Sequence, residues 1–134
     1  MDYLTKKERD CLITIKESSN GPFPVKLSEI AERMQVKPPT VSDLLKRLLD
    51  KGLITKKGGM VILSRDGEEA YRDITLVHRA METLLFRAGL SKEEACREVK
   101  EFDYLMSRET AERILHLMGD PDTCPHGQPV VVKE

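Results

Sequence analysis

In the first half of the chain, apolar residues recur at spacings of three and four, which is the period of an amphipathic helix. The pattern predicts a helix from about Thr5 to Glu17, followed by a loop rich in serine, glycine and proline. A short second helix is expected after Ser28, because serine caps helix N-termini well. A third helix begins at Pro38, where the missing proline N–H costs nothing, and it stops at Gly52.

A β-hairpin is predicted directly after the third helix. Two β-prone runs, Leu53–Lys57 and Met60–Leu63, flank the pair Gly58-Gly59, and such a pair favours a tight hairpin turn. Helix, short helix, turn, helix and hairpin in this order outline a winged helix-turn-helix domain.

The second half of the chain is predicted to be helical. Ser64 caps a long helix that runs to about Ala88. A capping box that starts at Ser91 opens a helix to about Met106, and Ser107 caps the last helix. The fold class is therefore mainly α, with a winged helix-turn-helix domain in residues 1–64 and an all-helical domain in residues 65–134.

Bulk composition narrows the class of protein further. Hydrophobic residues make up 40% and charged residues 34% of the chain, as in soluble globular proteins. No apolar run approaches the roughly 20 residues that span a bilayer. The three cysteines are widely spaced, which favours free thiols over a disulfide framework. We therefore expect a cytoplasmic protein with no membrane partner.

The charge distribution suggests that the first half binds nucleic acid. Residues 22–57 contain eight basic and four acidic side chains, although the whole chain carries a formal charge of −1. In a helix-turn-helix the second paired helix enters the major groove, and a wing contacts the phosphates. The candidate DNA-binding residues lie on the third helix and at the wing tip: Lys37, Pro39, Thr40, Ser42, Asp43, Lys46, Arg47, Lys56 and Lys57.

Two other readings of the same residues remain open. The three helices can form a core used for protein contacts, with lysines that are merely solvated. Enzyme function finds less support, because the chain lacks a glycine-rich phosphate loop, a His-Glu-x-x-His run and a nucleophile elbow. We therefore expect no catalytic activity and no small organic substrate.

Motifs in both halves resemble the diphtheria toxin repressor family of metal-dependent regulators. In the first half these are Ile30-Ala31-Glu32-Arg33-Met34, Pro39-Thr40-Val41-Ser42 and Lys51-Gly52-Leu53-Ile54. In the second half they are Val77-His78-Arg79, Glu82-Thr83-Leu84-Leu85, Leu105-Met106-Ser107 with Glu109, and Cys124-Pro125-His126-Gly127 with Pro129. The resemblance is to the short, two-domain members that lack an SH3-like domain. It implies a homodimer that binds a palindromic double-stranded DNA operator, represses metal-uptake genes and responds to iron(II) or manganese(II). It also implies that residues 65–134 form the dimerisation and metal-binding domain.

The resemblance also implies a set of metal ligands. The family's ligand positions fall on Asp10, His78, Glu82, Cys96 and Asp103. The donors of His78, Glu82 and Cys96 are nitrogen, oxygen and sulfur, which suit iron(II), cobalt(II) or zinc(II) better than manganese(II). Without the resemblance, a His-x-x-x-Glu pair is more often an intrahelical hydrogen bond than a metal site, and a cysteine in a helix is more often a core residue. The Cys124-Pro125-His126 turn is expected to be structural, and the alternative that Cys124 and His126 are metal ligands stays open.

One stretch departs from the family pattern. Lys100 stands where the family has a carboxylate or cysteine, and Tyr104 stands where it has histidine. A lysine opposes a divalent ion, so the site of Asp10, Lys100, Asp103 and Tyr104 looks damaged. The alternative hypothesis is a winged-helix regulator that has lost or altered metal control. Lys100 then supplies the positive charge itself, or the protein responds to another signal such as the redox state of Cys96.

An apolar stripe on the two adjacent helices of the second half predicts a core or dimer interface. Its members are Met81, Leu84, Leu85, Phe86, Phe102 and Met106. A pocket for an apolar effector is the other reading. Stripes of this kind in a small chain bury against something, and a second copy is the expected partner.

Overall fold

The computed structural model describes residues 4–132 and begins with three helices that match the predicted order. They are α1 (Lys6–Ser18), α2 (Leu27–Met34) and α3 (Pro38–Asp50). Thr5 caps α1 and forms a capping box with Glu8, which satisfies two of the N–H groups that a helix start leaves free. Gln35 adopts a left-handed conformation with a φ of 58°. This turn separates α2 from α3.

The start of α2 differs from the prediction. The helix begins at Leu27, so Ser28 lies inside its first turn and is not the cap. The physical reason is a short strand, β1 (Val25–Lys26), that runs directly into the helix. The strand leaves Lys26 in an extended conformation at the cap position. Two residues are too few to show an alternating pattern, so this strand could not be predicted from the sequence.

The predicted hairpin is present. Strand β2 (Ile54–Lys57) pairs antiparallel with β3 (Met60–Leu63), in a register that joins Lys57 to Met60. Gly58 and Gly59 both have positive φ angles, which is the backbone that a two-residue hairpin turn of the primed type requires. Strand β1 pairs with the other side of β3, so the sheet order is β1-β3-β2.

The long fourth helix, α4 (Arg65–Arg87), begins where Ser64 was expected to cap it. The Ser64 hydroxyl accepts from the Gly67 N–H at 3.1 Å. By its contacts the chain divides into two compact units between Tyr71 and Arg72, inside α4, whereas the predicted domain boundary follows residue 64. The first turns of α4 fall in the first unit, where Lys16 of α1 pairs with Glu68 at 2.8 Å.

The first unit has one hydrophobic core. It is built from the inward faces of α1, α2 and α3 and from β3, and its most deeply buried side chains are Leu12, Ile15, Ile30, Val41, Leu48 and Val61. At its edge, Gly67 of α4 lies against the backbone of Leu53. A Cβ atom at Gly67 would stand 1.9 Å from the Leu53 carbonyl oxygen, so only glycine fits this approach.

The second unit contains the rest of α4 and two shorter helices, α5 (Lys92–Lys100) and α6 (Arg108–Leu117). The capping box at Ser91 and the cap at Ser107 are both confirmed. The predicted extension of α5 to Met106 is wrong, because the helix ends at Lys100. Turns follow, in which the N–H groups of Glu101 and Phe102 bond three residues back.

The core of the second unit consists of Leu76, Val77, Ala80, Met81, Val99, Ala111, Leu115 and Val130. Leu84, Leu85, Phe102 and Met106 of the predicted apolar stripe pack against it, whereas Phe86 is 44% exposed. Val130 lies in the irregular segment after α6, and it is 1% exposed. Within residues 4–132, none of the helices combines the length and apolarity that crossing a membrane requires.

Candidate functional site

Helix α3 presents one apolar and one polar face. Pro38 and Pro39 start it, and Val41, Leu44, Leu45 and Leu48 bury the face that holds it on the first unit. The opposite face carries the candidate DNA-binding residues. Lys37, Pro39, Thr40, Asp43, Lys46 and Arg47 are exposed, and Ser42 is half-buried. The predicted contact residues are therefore accessible on one side of one rigid helix.

The wing tip is also accessible. Lys56 and Lys57 lie at the end of β2 and are exposed. The turn that follows them is fixed by Gly58 and Gly59. Two cations at the tip of a rigid hairpin suit contact with phosphates.

A buried carboxylate anchors the C-terminal end of α3. Glu8 is 2% exposed, and it accepts from Lys51 Nζ at 2.6 Å. Burial alone would raise the pKa of Glu8. The hydrogen bonds from Lys51 and the Thr5 backbone, with the charges of Lys51 and Arg47, outweigh burial and hold that pKa below its ordinary value of 4.5. Sequence reasoning missed this contact, because the partners lie far apart along the chain.

Three of the predicted metal ligands meet in the second unit. His78 and Glu82 lie one turn apart on α4, with His78 Nε2 3.4 Å from Glu82 Oε2. Cys96 Sγ of α5 lies 3.6 Å from the same His78 nitrogen. One nitrogen, one oxygen and one sulfur donor from these residues all lie within 4.8 Å of one another. These three residues were predicted as ligands from the sequence, and the fold brings their donor atoms together.

Asp103 orients the histidine of this group. Its Oδ2 lies 2.9 Å from His78 Nδ1, and the residue is 1% exposed. A carboxylate accepts, so His78 Nδ1–H donates to Asp103. The other ring nitrogen, Nε2, faces Glu82 and Cys96, and it is the atom that can bind a metal when the ring is neutral. Metal-binding histidines are commonly held by a carboxylate in this way. Asp103 therefore contacts the histidine of the candidate donor group, and its own role as a ligand stays a prediction.

Glu82 belongs to a second donor group as well. Its Oε2 lies 3.2 Å from His126 Nδ1, and Glu82, Cys124 and His126 offer donors within 4.8 Å of one another. The last two come from a turn that the hydrogen bond from Cys124 N–H to the Gln128 carbonyl closes at 2.8 Å. From the sequence, it was left open whether Cys124 and His126 are metal ligands or only part of a structural turn. Their Cys-x-His spacing suggested a possible pair of ligands, but nothing in the sequence indicated that Glu82 lies next to them.

The other residues of the predicted family site lie on different elements of the two units. Asp10 lies on α1 in the first unit, where it pairs with Arg9 at 3.1 Å and Lys6 at 3.9 Å. Lys100 is exposed at the end of α5, and Tyr104 is half-buried in the turns beyond it. A ligand role for Asp10 stays a prediction.

Two family models match the chain, one in its second half and one in its first half. Residues 64–131 match the metal-binding and dimerisation domain of iron-dependent repressors. This match covers more than half of the sequence. The chain belongs to the iron-dependent repressor family. Residues 4–58 match the MarR family, in agreement with the winged helix-turn-helix.

Individual relatives support the same assignment. The iron-dependent repressor IdeR of Mycobacterium leprae is 30% identical over 105 residues, which are 77% of this chain and 46% of that protein. A crystal structure of a hypothetical protein from Sulfolobus solfataricus has a TM-score of 0.83 and 31% identity, covering 96% of this chain and all of that one. The structure of ScaR with bound Zn2+ has a TM-score of 0.76 and 29% identity, covering 97% and 61%.

The chain spans about half the length of the curated iron-dependent repressors it matches. The family and the fold are shared with these relatives. The matched family model and the relative from Mycobacterium leprae are both named as iron-dependent repressors.

Proposed function

We propose that this chain is a metal-responsive DNA-binding transcription regulator. It acts in the cytoplasm as a homodimer on a palindromic operator and represses metal-uptake genes. The observation that carries the proposal is the grouping of His78, Glu82 and Cys96 within 4.8 Å, with Asp103 orienting the histidine. The same chain carries an exposed recognition helix.

The donor set fits a divalent transition metal. It offers imidazole, carboxylate and thiol groups, and sulfur favours iron(II), cobalt(II) or zinc(II) over manganese(II). An ion bound there supplies charge and coordination bonds that hold its ligands together. Three protein ligands also leave room for a further donor. His126 and Cys124 lie next to Glu82 and are suited to extend the set. The relatives named above include an iron-dependent repressor and a protein solved with Zn2+.

Helix α3 and the wing are the DNA-contacting elements of the proposal. Helix α3 enters the major groove, where Thr40 and Ser42 donate to base edges or phosphates and Pro39 contacts a thymine methyl. Lys46, Lys56 and Lys57 neutralise phosphates.

A second copy of the chain completes the proposed regulator. The second unit exposes Phe86 and Leu105 at 44% and 55%, which suits burial against a partner. A dimer places two recognition helices on half-sites about one DNA turn apart, and a palindrome matches that symmetry.

The test combines metal analysis with DNA binding. Protein purified without a histidine tag is analysed for bound metal, and its shift of its own promoter DNA is measured with iron(II), manganese(II), zinc(II) or chelator. We expect near-stoichiometric metal and a shift that chelator abolishes. His78→Ala should lose the metal-dependent part of the shift and keep its circular dichroism spectrum.

The chain offers a matched control for that variant. His116 is exposed and pairs with Asp120 at 3.1 Å, and it belongs to neither donor group among residues 4–132. His116→Ala should therefore behave as the wild type. A shift that neither chelator nor His78→Ala alters would contradict metal control and favour a regulator that answers to another signal.

A further inference from the structure

An acidic side chain occupies the middle of the proposed DNA-contacting face of α3. Residues three and four positions apart share one face of a helix. The four residues at those distances from Asp43 are exposed, as is Asp43 itself: Pro39, Thr40, Lys46 and Arg47. Asp43 is therefore surrounded by the candidate contact residues and does not lie at their edge.

A carboxylate at this position is unfavourable for general DNA binding. It only accepts hydrogen bonds, and the DNA backbone presents anionic oxygens that repel it. The groups in the major groove that it can bind are the exocyclic amino groups, N4 of cytosine and N6 of adenine. Adenine presents the acceptor N7 beside its amino group, so cytosine fits a carboxylate better.

Arg47 holds this carboxylate. Its Nη2 donates to Asp43 Oδ2 at 2.9 Å, and its Nη1 lies 4.0 Å from Oε2 of the buried Glu8. The side chains of Asp43 and Arg47 are 62% and 51% exposed, and exposed pairs of this kind contribute little to stability. The pair orients the Asp43 carboxylate, because the guanidinium lies between the buried Glu8 and the exposed Asp43.

The pair presents an acceptor beside several donors. A C·G base pair presents the complementary set, with the amino group on cytosine and the acceptors O6 and N7 on guanine. We propose that Asp43, positioned by Arg47, selects a C·G pair in each half-site of the operator. The inference rests on the proposed function, since it requires α3 to enter the major groove.

The experiment is a selection of binding sites from a random double-stranded DNA library, using full-length metal-loaded protein. Wild type, Asp43→Asn and Arg47→Lys are selected in parallel. We expect the wild-type site to contain one C·G position whose preference Asp43→Asn lowers by about 10-fold or more. Affinity of Asp43→Asn for an unrelated duplex should rise, because a negative charge has been removed. Arg47→Lys keeps its charge and should weaken the same position.

Asp50→Asn is the matched control. It removes the same charge from another exposed position of α3 and should leave every base preference unchanged. Unaltered preferences in Asp43→Asn, a general loss at all positions, or an Asp43-dependent A·T position would each overturn the assignment. Wild-type binding without sequence preference would overturn it while leaving metal-controlled DNA binding intact. Absence of any DNA binding would refute the proposed function as well.

Discussion

The close approach of Gly67 to the wing gives a sharp stability prediction. In Gly67→Ala the new Cβ atom would stand 1.9 Å from the Leu53 carbonyl oxygen and 3.2 Å from Leu63 Cβ. The first distance must open by roughly 1.1 Å to reach 3.0 Å, below which real Cβ contacts essentially never occur. Backbone has to move, because the obstructing atom is a carbonyl. That same carbonyl accepts from the Ser64 N–H at 3.0 Å.

The magnitude follows from three contributions. Overpacking costs about 2 kcal/mol, and weakening the Ser64 hydrogen bond costs about 1 kcal/mol. The higher helix propensity of alanine offsets about 1 kcal/mol of this loss in stability. We expect the free energy of unfolding to fall by about 2 kcal/mol, which lowers Tm by roughly 8 °C. DNA affinity should fall as well, because Leu53 leads directly into β2 and the wing.

Urea unfolding and thermal scans followed by circular dichroism measure this effect. Glu69→Ala is the control, since Glu69 is exposed two residues further along the same helix; such surface changes stay within about 0.5 kcal/mol. A Gly67→Ala protein as stable as Glu69→Ala would refute the reasoning from close approach.

Three further predictions concern buried and ligating groups. Because the pKa of Glu8 lies below its ordinary value of 4.5, its contribution is complete at neutral pH and is lost as pH falls through the lowered pKa. Glu8→Gln should thus be about 2 kcal/mol less stable at pH 7, and the gap in urea unfolding should close below about pH 4.5; a constant gap would contradict this. Asp103→Asn should weaken zinc(II) binding about 10- to 100-fold in a chelator competition, and unchanged affinity would remove its role toward His78. Burial raises the pKa of the Cys11 thiol to about 12, so mass spectrometry should find Cys11 unlabelled by a thiol reagent in the native protein. Cys96 should be labelled and be protected by zinc(II); labelling of native Cys11 would show that this core opens.

Local signals in the sequence predicted most of the fold. The boundaries of α3, α4 and α6 follow from proline, serine and glycine at fixed positions, because each of these residues acts on its own few neighbours. The hairpin followed from Gly58 and Gly59 for the same reason. Features that depend on distant partners were missed or misplaced. Strand β1 forms because Val25 and Lys26 pair with Val61 and Met60. The residues next to it in the sequence carry no signal for a strand.

The end of α5 shows the same limit. The apolar spacing of Val99, Phe102 and Met106 continues the helical pattern, yet the helix ends at Lys100. Beyond it Asp103 is buried against His78 of another helix. A pattern of apolar residues carries no information about that polar contact.

The candidate metal ligands also differ in how far the sequence predicted them. His78, Glu82 and Cys96 were named on resemblance and spacing, and the fold brings them together. The meeting of Cys124 and His126 with Glu82 depends on the path of an irregular segment. No periodicity describes such a segment.

The turn near the C-terminal end has a consequence for how this segment can vary. Its two donors, Cys124 and His126, stand before Val130, which is packed in the core, and Arg79 donates to the Pro129 carbonyl at 2.6 Å. The segment between the donors and Val130 is therefore held at both ends, and this constrains its length. Among homologues that keep Cys124 and His126, we expect substitutions here but no insertions or deletions, because one extra residue would pull either the core residue or the donors out of place.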